Sequence, residues 1–219
     1  MMKALVPIAR RATTLTKSAV GPTSGGSQAL AARAIPDGMP GKRRVSTVAN
    51  PTTTKPNGDV SDPGHVQFQY SESEKQRLEA LTGEKAPPAI GHTRDRSVPP
   101  ERATRTVTIN GRQGEVMGVK GRAIVSGNDK PVLQTPNTLR ADLGELDDEQ
   151  LLAMHAISKK PIMDTFETSG TERSNCVHGA AKVANEVFGT ELEMARFATP
   201  QDAVKAIADA VKDKTEEKV

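Results

Sequence analysis

The sequence predicts an α+β domain, in which helices flank a small antiparallel sheet, preceded by a long disordered region. Three observations lead to this prediction. Residues 1–62 are dense in Thr, Ser, Pro and Gly and show no sustained helical or strand period. The residues directly after them alternate between polar and apolar, as a half-buried strand does. Later segments place apolar residues at helical spacing, between residues of the kinds that start and stop helices.

The first 60 residues form a basic leader. They hold nine Lys and Arg against two acidic residues, a net charge of +7, whereas the remainder carries −4. Ordering such a backbone would cost ~1–2 kcal/mol per residue, with little apolar burial to offset it. The sequence pI of about 9.0 is therefore mainly a property of the leader. It gives no reason to expect specific nucleic-acid binding by the folded part.

Three interpretations of the leader stay open. It can be a plain flexible tail, or a Ser- and Thr-rich export leader of a bacterial effector that leaves the cell by a non-Sec route. The third interpretation is a mitochondrial presequence, because no acidic residue precedes Asp37 while basic residues do.

Two segments favour strands. In 64–70, Val66, Phe68 and Tyr70 fall on one face of a period-2 pattern. Further on, the hairpin signal Asn110-Gly111 separates two stretches of β-branched and apolar residues, 105–110 and 115–125.

Four segments favour helices. Each begins at a capping residue or an acidic turn, and two of them end at a glycine. The predicted helices run from Ser71 to Gly83, over 146–158, over 175–188, and from a Thr-Pro-Gln-Asp start at Thr199 to about residue 212. We therefore expect a folded domain over 63–212 and a frayed tail over 213–219.

The cysteine and histidine counts exclude several kinds of site. One cysteine cannot form an intramolecular disulfide, and the four histidines show no C-x-x-C or H-E-x-x-H spacing. No apolar run approaches the ~20 residues that cross a bilayer. We expect a monomer without metal, cofactor or transmembrane segment.

The single thiol lies where chemistry is favoured. Cys176 falls at the predicted N-terminus of an apolar helix, after a polar loop. Free N–H groups and the positive end of the helix dipole stabilise a thiolate there, and the same N–H groups can form part of an oxyanion hole. The competing interpretation is a small buried hydrophobe, which describes most free cysteines.

The pair Gly64-His65 before an alternating strand and Asn175-Cys176 before a helix of small residues resembles permuted papain-like enzymes. These include the NlpC-like amidases and the lecithin:retinol acyltransferase family. In them a histidine strand precedes an Asn-Cys helix, with strands and a helix between. The likeness covers roughly residues 62–210 and departs from the acyltransferases after the cysteine, where Gly179 and Ala180 replace a bulky aromatic residue.

The resemblance implies a role for each residue. Cys176 would be the nucleophile, His65 its general base, and Asn175 with the Cys176 N–H the oxyanion support. The third polar group has no clear match: Glu115 is the choice here, with Asn110 and His92 as alternatives. His178 and His155 are interpreted as structural histidines on helices.

These residues predict a cysteine-dependent hydrolase or acyltransferase acting on an amide, ester or thioester of a protein, peptide or other acyl substrate. We expect it to be a secreted bacterial effector whose leader contacts a secretion chaperone; the alternative locations are the cytoplasm and the mitochondrion. The alternative function is a non-enzymatic secreted effector or adaptor that binds a host or chaperone protein through its helices. That alternative predicts Cys176 buried, with no histidine near it.

Overall fold

The computed structural model describes residues 45–51, 53–54, 60–62, 64–109, 112–168, 174–195 and 198–217. All of them belong to one compact unit that spans Ile35–Val219. The architecture is α+β, with small antiparallel sheets and four helices, as the sequence predicts.

The main sheet has four antiparallel strands in the order β5-β4-β1-β8. Its strands are β1 (Val45–Asn50), β4 (His65–Tyr70), β5 (Ile90–Gly91) and β8 (Leu139–Asp142). A separate pair joins β2 (Thr53–Thr54) and β3 (Val60–Asp62), and a second sheet has the order β6-β7-β9. Its strands are β6 (Glu101–Ile109), β7 (Arg112–Arg122) and β9 (Thr165–Glu167).

The helices begin and end close to the predicted positions. They are α1 (Glu72–Thr82), α2 (Asp148–Ser158), α3 (Cys176–Phe188) and α4 (Pro200–Glu217). Ser71 caps α1 and Gly83 follows its last turn, as predicted, and Gly83 has a left-handed conformation. Asp147 and Gln150 form a capping box at the start of α2. Among the described helices, none is long and apolar enough to span a membrane.

The core lies between one face of the main sheet and the helices. Val66, Phe68 and Tyr70 are all buried on that face, which confirms the predicted alternation. Apolar residues of all four helices pack in the same cluster, among them Leu78, Leu151, Met154, Ala180, Val183, Ala184, Val204 and Ile207. Each fully buried Val, Leu, Ile or Met side chain among them contributes about 1.5–3 kcal/mol. This packing holds α3 against β4, the strand that begins with His65.

Two predicted boundaries are wrong. The leader was placed over 1–62, but Val45–Asn50 forms β1, which pairs with β4 on one side and β8 on the other. Five of its six residues are buried. Ser and Thr in a short segment gave no clear strand period, and the long-range pairing overrides that weak local signal. Strands β2 and β3 also fall within the predicted leader. Residues 1–44, 52 and 55–59 lie outside the described residues, so their predicted disorder remains a prediction.

The predicted frayed tail, 213–219, is the second correction. Helix α4 continues to Glu217, because its last turns carry spaced pairs of opposite charge. Lys214 Nζ lies 3.0 Å from Glu217 Oε2, and Lys212 pairs with Glu216. The hairpin predicted at Asn110-Gly111 has both its strands, and Ile109 pairs with Arg112. The two turn residues themselves lie outside the description.

The position of β1 generates a test of the domain boundary. A chain that begins at residue 63 lacks the strand between β4 and β8, so it should lose cooperative thermal unfolding. A chain that begins at residue 41 retains β1 and is the matched control. Thermal unfolding of both chains is measured by circular dichroism. If the shorter chain melts cooperatively and at the same temperature as the control, β1 is dispensable.

Candidate active site

Cys176 is the first residue of α3, and Asn175 is its N-cap. The Asn175 Oδ1 atom accepts hydrogen bonds from the backbone N–H groups of Val177 at 3.0 Å and His178 at 3.2 Å. The N–H of Gly179 makes the first intrahelical bond, to the Asn175 carbonyl. Among the first-turn N–H groups of α3, that of Cys176 is therefore the one that does not bond to Asn175. The Cys176 side chain lies beside this donor and is 8% exposed.

His65 is the first residue of β4, and it joins the cysteine to a carboxylate. Its Nε2 atom lies 2.6 Å from Asp129 Oδ2, and the Cys176 side chain lies close enough to raise the pKa of the imidazole. About a quarter of the imidazole, 24%, remains exposed, whereas the Asp129 side chain is 7% exposed. A histidine, a thiol and a buried carboxylate therefore meet in one constellation.

The surroundings of His65 favour its charged form. Burial on its own lowers the pKa of the imidazole, but the hydrogen bonds to Asp129 and Cys176 and the charges of both groups outweigh burial. Together they raise the pKa of His65 from 6.5 to about 10. With this pKa the ring is an imidazolium at neutral pH, and it lies next to the Asp129 carboxylate and the Cys176 sulfur.

Asp129 follows a short 3-10 turn, Ser126–Asn128, that is fixed to the end of α2. The Ser126 Oγ hydroxyl donates to the Ile157 carbonyl at 2.7 Å, and the Ser126 N–H donates to the Lys160 carbonyl. This turn delivers the Asp129 carboxylate to the edge of the main sheet.

Gln67, two residues after His65, holds the carboxylate in place. Its side chain is fully buried, and its Nε2 donates to Asp129 Oδ2 at 3.1 Å and to the Lys130 carbonyl at 2.8 Å. Its Oε1 accepts from the Val132 N–H at 2.9 Å. One amide side chain therefore ties the segment 129–132 to β4.

Gly91 provides the space that this carboxylate occupies. It pairs with Gln67 across the β4–β5 ladder. A Cβ atom at position 91 would lie 1.9 Å from Asp129 Oδ2, which is far below any real contact. The close approach of a carboxylate to the backbone thus requires glycine here.

The structure brings Cys176 and His65 together, as the resemblance implied. Asn175 supports the site as the helix cap, with its side-chain oxygen committed to N–H groups. Glu115 lies on β7 in the second sheet, opposite Thr106, and its side chain is outside the description. The carboxylate that contacts His65 belongs to Asp129 instead, and Asn110 is not among the described residues.

The other three histidines have other hydrogen-bond and ionic partners than His65. His178 Nδ1 lies 2.8 Å from the Asn175 oxygen, and His155 on α2 lies 3.3 Å from Glu84. Both lie on helices, as expected. His92 was an alternative for the third polar group, but its Nε2 contacts the backbone carbonyls of Thr165 and Ser174. Its role is therefore different from that of Asp129.

Asp129 and Gln67 are not among the site residues that the sequence indicates. Asp129 lies in a Ser-Gly-Asn-Asp turn, which looks like any exposed connection. The one signal that could have indicated Gln67 is its place in the strand, on the same face as His65. Nothing local connects either residue to the other.

A groove of about 250 Å³ lies between the end of α2 and α3, and neither Cys176, His65 nor Asp129 lines it. Its walls include Pro161, Met163 and Lys182. We place the candidate site at Cys176 because that is where a nucleophile, a histidine and a carboxylate are in contact. Cavity shape by itself carries no chemistry.

The buried carboxylate generates a prediction about pH. Because the pKa of His65 is about 10 in the folded protein and near 6.5 when unfolded, its stabilising contribution is complete below pH 6.5 and is lost as the pH rises to about 10. Asp129→Asn removes the carboxylate charge and lowers the folded pKa. The loss of unfolding free energy between pH 6.5 and 10 should therefore be smaller in Asp129→Asn, as measured by urea denaturation at several pH values.

Asp209→Asn is the matched control, because Asp209 is exposed on α4. It should keep the pH dependence of the parent protein. Identical pH profiles for Asp129→Asn and the parent would contradict the assignment of Asp129 as the partner of His65.

Comparison with known proteins assigns no family to this constellation. No family model matches the chain, and no curated protein or solved structure shows significant similarity to it. Within the described ranges, no group of three or more His, Cys, Asp and Glu side chains is placed to hold a metal ion. What the site does has to be inferred from Cys176, His65 and Asp129 themselves.

Proposed function

We propose that the protein is a cysteine-dependent hydrolase or acyltransferase that acts on an amide, ester or thioester through a covalent acyl-enzyme. The observation that carries this proposal is the position of His65, which contacts Cys176 and the buried Asp129 at the same time. A nucleophile, a base and a group that orients the base are the three parts of an activated-cysteine site.

The first chemical step forms the acyl-enzyme. The Cys176 thiolate attacks the carbonyl carbon, and the negative charge that develops on the carbonyl oxygen is stabilised by the Cys176 N–H at the start of α3. The bond to the leaving group then breaks, and the His65 imidazolium donates its proton to that group. The products are a thioester on Sγ and a neutral His65 imidazole.

The second step releases the acyl group. Neutral His65 takes a proton from water or from an acceptor alcohol, amine or thiol, and the resulting nucleophile attacks the thioester. The Sγ atom departs as a thiolate, and His65 is again an imidazolium. Asp129 keeps the same hydrogen bond to Nε2 in both steps, so the imidazole retains one orientation.

The order of the three residues supports a permuted papain-like origin. The histidine strand comes first, the carboxylate follows, and the cysteine helix comes last, with α3 packed against β4. This is the order implied by the resemblance to the NlpC-like amidases and the lecithin:retinol acyltransferase family. The proposal replaces Glu115 with Asp129 as the third group.

The alternative, a non-enzymatic effector or adaptor, predicts a buried Cys176 with no histidine nearby. Cys176 is buried, but His65 contacts it, and an adaptor needs no such contact. The site therefore favours the enzyme. Export by a non-Sec route, with the leader bound by a secretion chaperone, remains a proposal based on the basic, Ser- and Thr-rich composition of residues 1–44.

The proposed nucleophile should be reactive in the folded state. We expect the full chain to react with iodoacetamide at Cys176 at pH 7, and to be acylated there by an activated ester such as p-nitrophenyl acetate. His65→Gln should slow both reactions by at least about ten-fold, because the imidazolium no longer stabilises the thiolate. Intact-mass measurement over time gives both rates.

His155→Gln is the matched control, since His155 is a buried histidine on α2 that lies beside Glu84 and not beside Cys176. Cys176 in this variant should react with both reagents at the same rate as in the parent protein. If Cys176 reacts only after denaturation, or if His65→Gln reacts as fast as the parent, the proposed activity is wrong.

A further inference from the structure

His92 connects two backbone segments beside the nucleophile. It follows β5 directly and is 1% exposed. Its Nε2 atom lies 3.0 Å from the Thr165 carbonyl oxygen and 2.9 Å from the Ser174 carbonyl oxygen. Thr165 begins β9, and Ser174 lies two residues before Cys176. The imidazole thus bridges the start of β9 and the backbone from which α3 begins.

The two contacts fix the tautomer of His92. A carbonyl oxygen can only accept a hydrogen bond, so Nε2 must carry the proton that is shared between the two carbonyls. The other nitrogen, Nδ1, is buried and has no hydrogen-bond partner among the described residues. A proton added at Nδ1 would be a buried donor without an acceptor, which is costly.

The charges near His92 also favour the neutral ring. Burial is the largest influence and lowers the pKa of His92, and the positive charge of His65 lowers it further. The backbone bonds and the Asp129 charge oppose this, but the net direction is downward. The same site therefore holds one histidine whose charged form is favoured and one whose neutral form is favoured. Such a separation is typical of sites in which the two groups have different roles.

The packing around His92 leaves it little freedom to move. A Cβ atom at Gly179, in the first turn of α3, would lie 2.4 Å from His92 Cβ. On another side, the His92 ring lies 5.5 Å from the Phe166 ring. The acyltransferases that the chain resembles have a bulky aromatic residue shortly after the cysteine. Here Gly179 has no side chain, so α3 can approach His92 closely.

We propose that His92 is a positioning residue that, as a neutral Nε2–H imidazole, fixes the backbone of Ser174 and thereby the place of Cys176 relative to His65. The inference rests on the proposed function, because it concerns the reactivity of the same thiol. His92 does not exchange protons with the substrate in this scheme. It acts through the Ser174 carbonyl.

Two variants at position 92 distinguish the effect of the hydrogen-bond donor from the effect of side-chain volume. His92→Leu replaces the imidazole with an apolar side chain of similar size and so removes the Nε2–H donor. His92→Gln places an amide N–H₂ near the former position of Nε2. We expect His92→Leu to slow alkylation of Cys176 by iodoacetamide by roughly ten-fold or more, as small displacements of reacting groups do. His92→Gln should restore most of the rate. His155→Leu, at a second buried histidine, is the control and should leave the rate unchanged.

Urea denaturation of each variant shows whether a slower rate reflects a lost fold. A folded His92→Leu that labels at the parent rate would overturn the inference, and so would an equal slowing by His155→Leu. If His92→Leu does not fold, the inference is tested by the tautomer of His92 in the parent protein. Imidazole ¹⁵N shifts should show His92 as neutral Nε2–H at pH 7, and an Nδ1–H or charged ring would overturn the inference.

The outcome also separates the inference from the proposed function. If Cys176 in the parent is unreactive, the proposed activity fails, and the ¹⁵N shifts still test whether His92 binds the two carbonyls. If Cys176 is reactive but indifferent to His92→Leu, the activity stands and the positioning role fails.

Discussion

The bond between His65 Nε2 and the Asp129 carboxylate is the interaction on which the candidate site depends. A carboxylate that is 7% exposed is costly to bury unless its charge is compensated, and here the imidazolium and the Gln67 amide share one oxygen, Oδ2. In return, the carboxylate keeps His65 charged beside Cys176. Without Asp129, the pKa of His65 would fall, because one of the groups that oppose the effect of burial would be lost.

Several parts of the fold serve this one contact. The 3-10 turn that carries Asp129 is fixed to the end of α2, and Gln67 joins the following residues to β4. Gly91 leaves space for the carboxylate. Core packing of α3 against β4 sets the cysteine at the start of the histidine strand. The site is therefore assembled by contacts between elements that are far apart in sequence.

That distribution explains what could be predicted from the sequence. Helix starts are determined locally, by caps such as Ser71, Asn175 and Thr199, and the structure confirms them. The face of β4 that packs in the core is equally local, because alternation marks it. The position of Cys176 at a helix start also follows from neighbouring residues.

The remaining features depend on tertiary contacts. Strand β1 has no strong pattern of its own, and it forms because β4 and β8 pair with it. Asp129 lies 64 residues from His65, and its turn residues describe an ordinary connection. His92 could be seen as a candidate by residue type, but the two carbonyls that it binds belong to distant segments. Pairings of this kind come from the packed chain, not from a window of residues.

The central claim is that the charges of Cys176 and His65 are coupled. An NMR titration of the His65 imidazole in the parent protein and in Cys176→Ala tests this coupling most directly. Because the neighbouring Cys176 side chain raises the pKa of His65, the imidazole of the alanine variant should titrate at lower pH than that of the parent, whose pKa is about 10. The same titration in both proteins would contradict a paired thiolate and imidazolium.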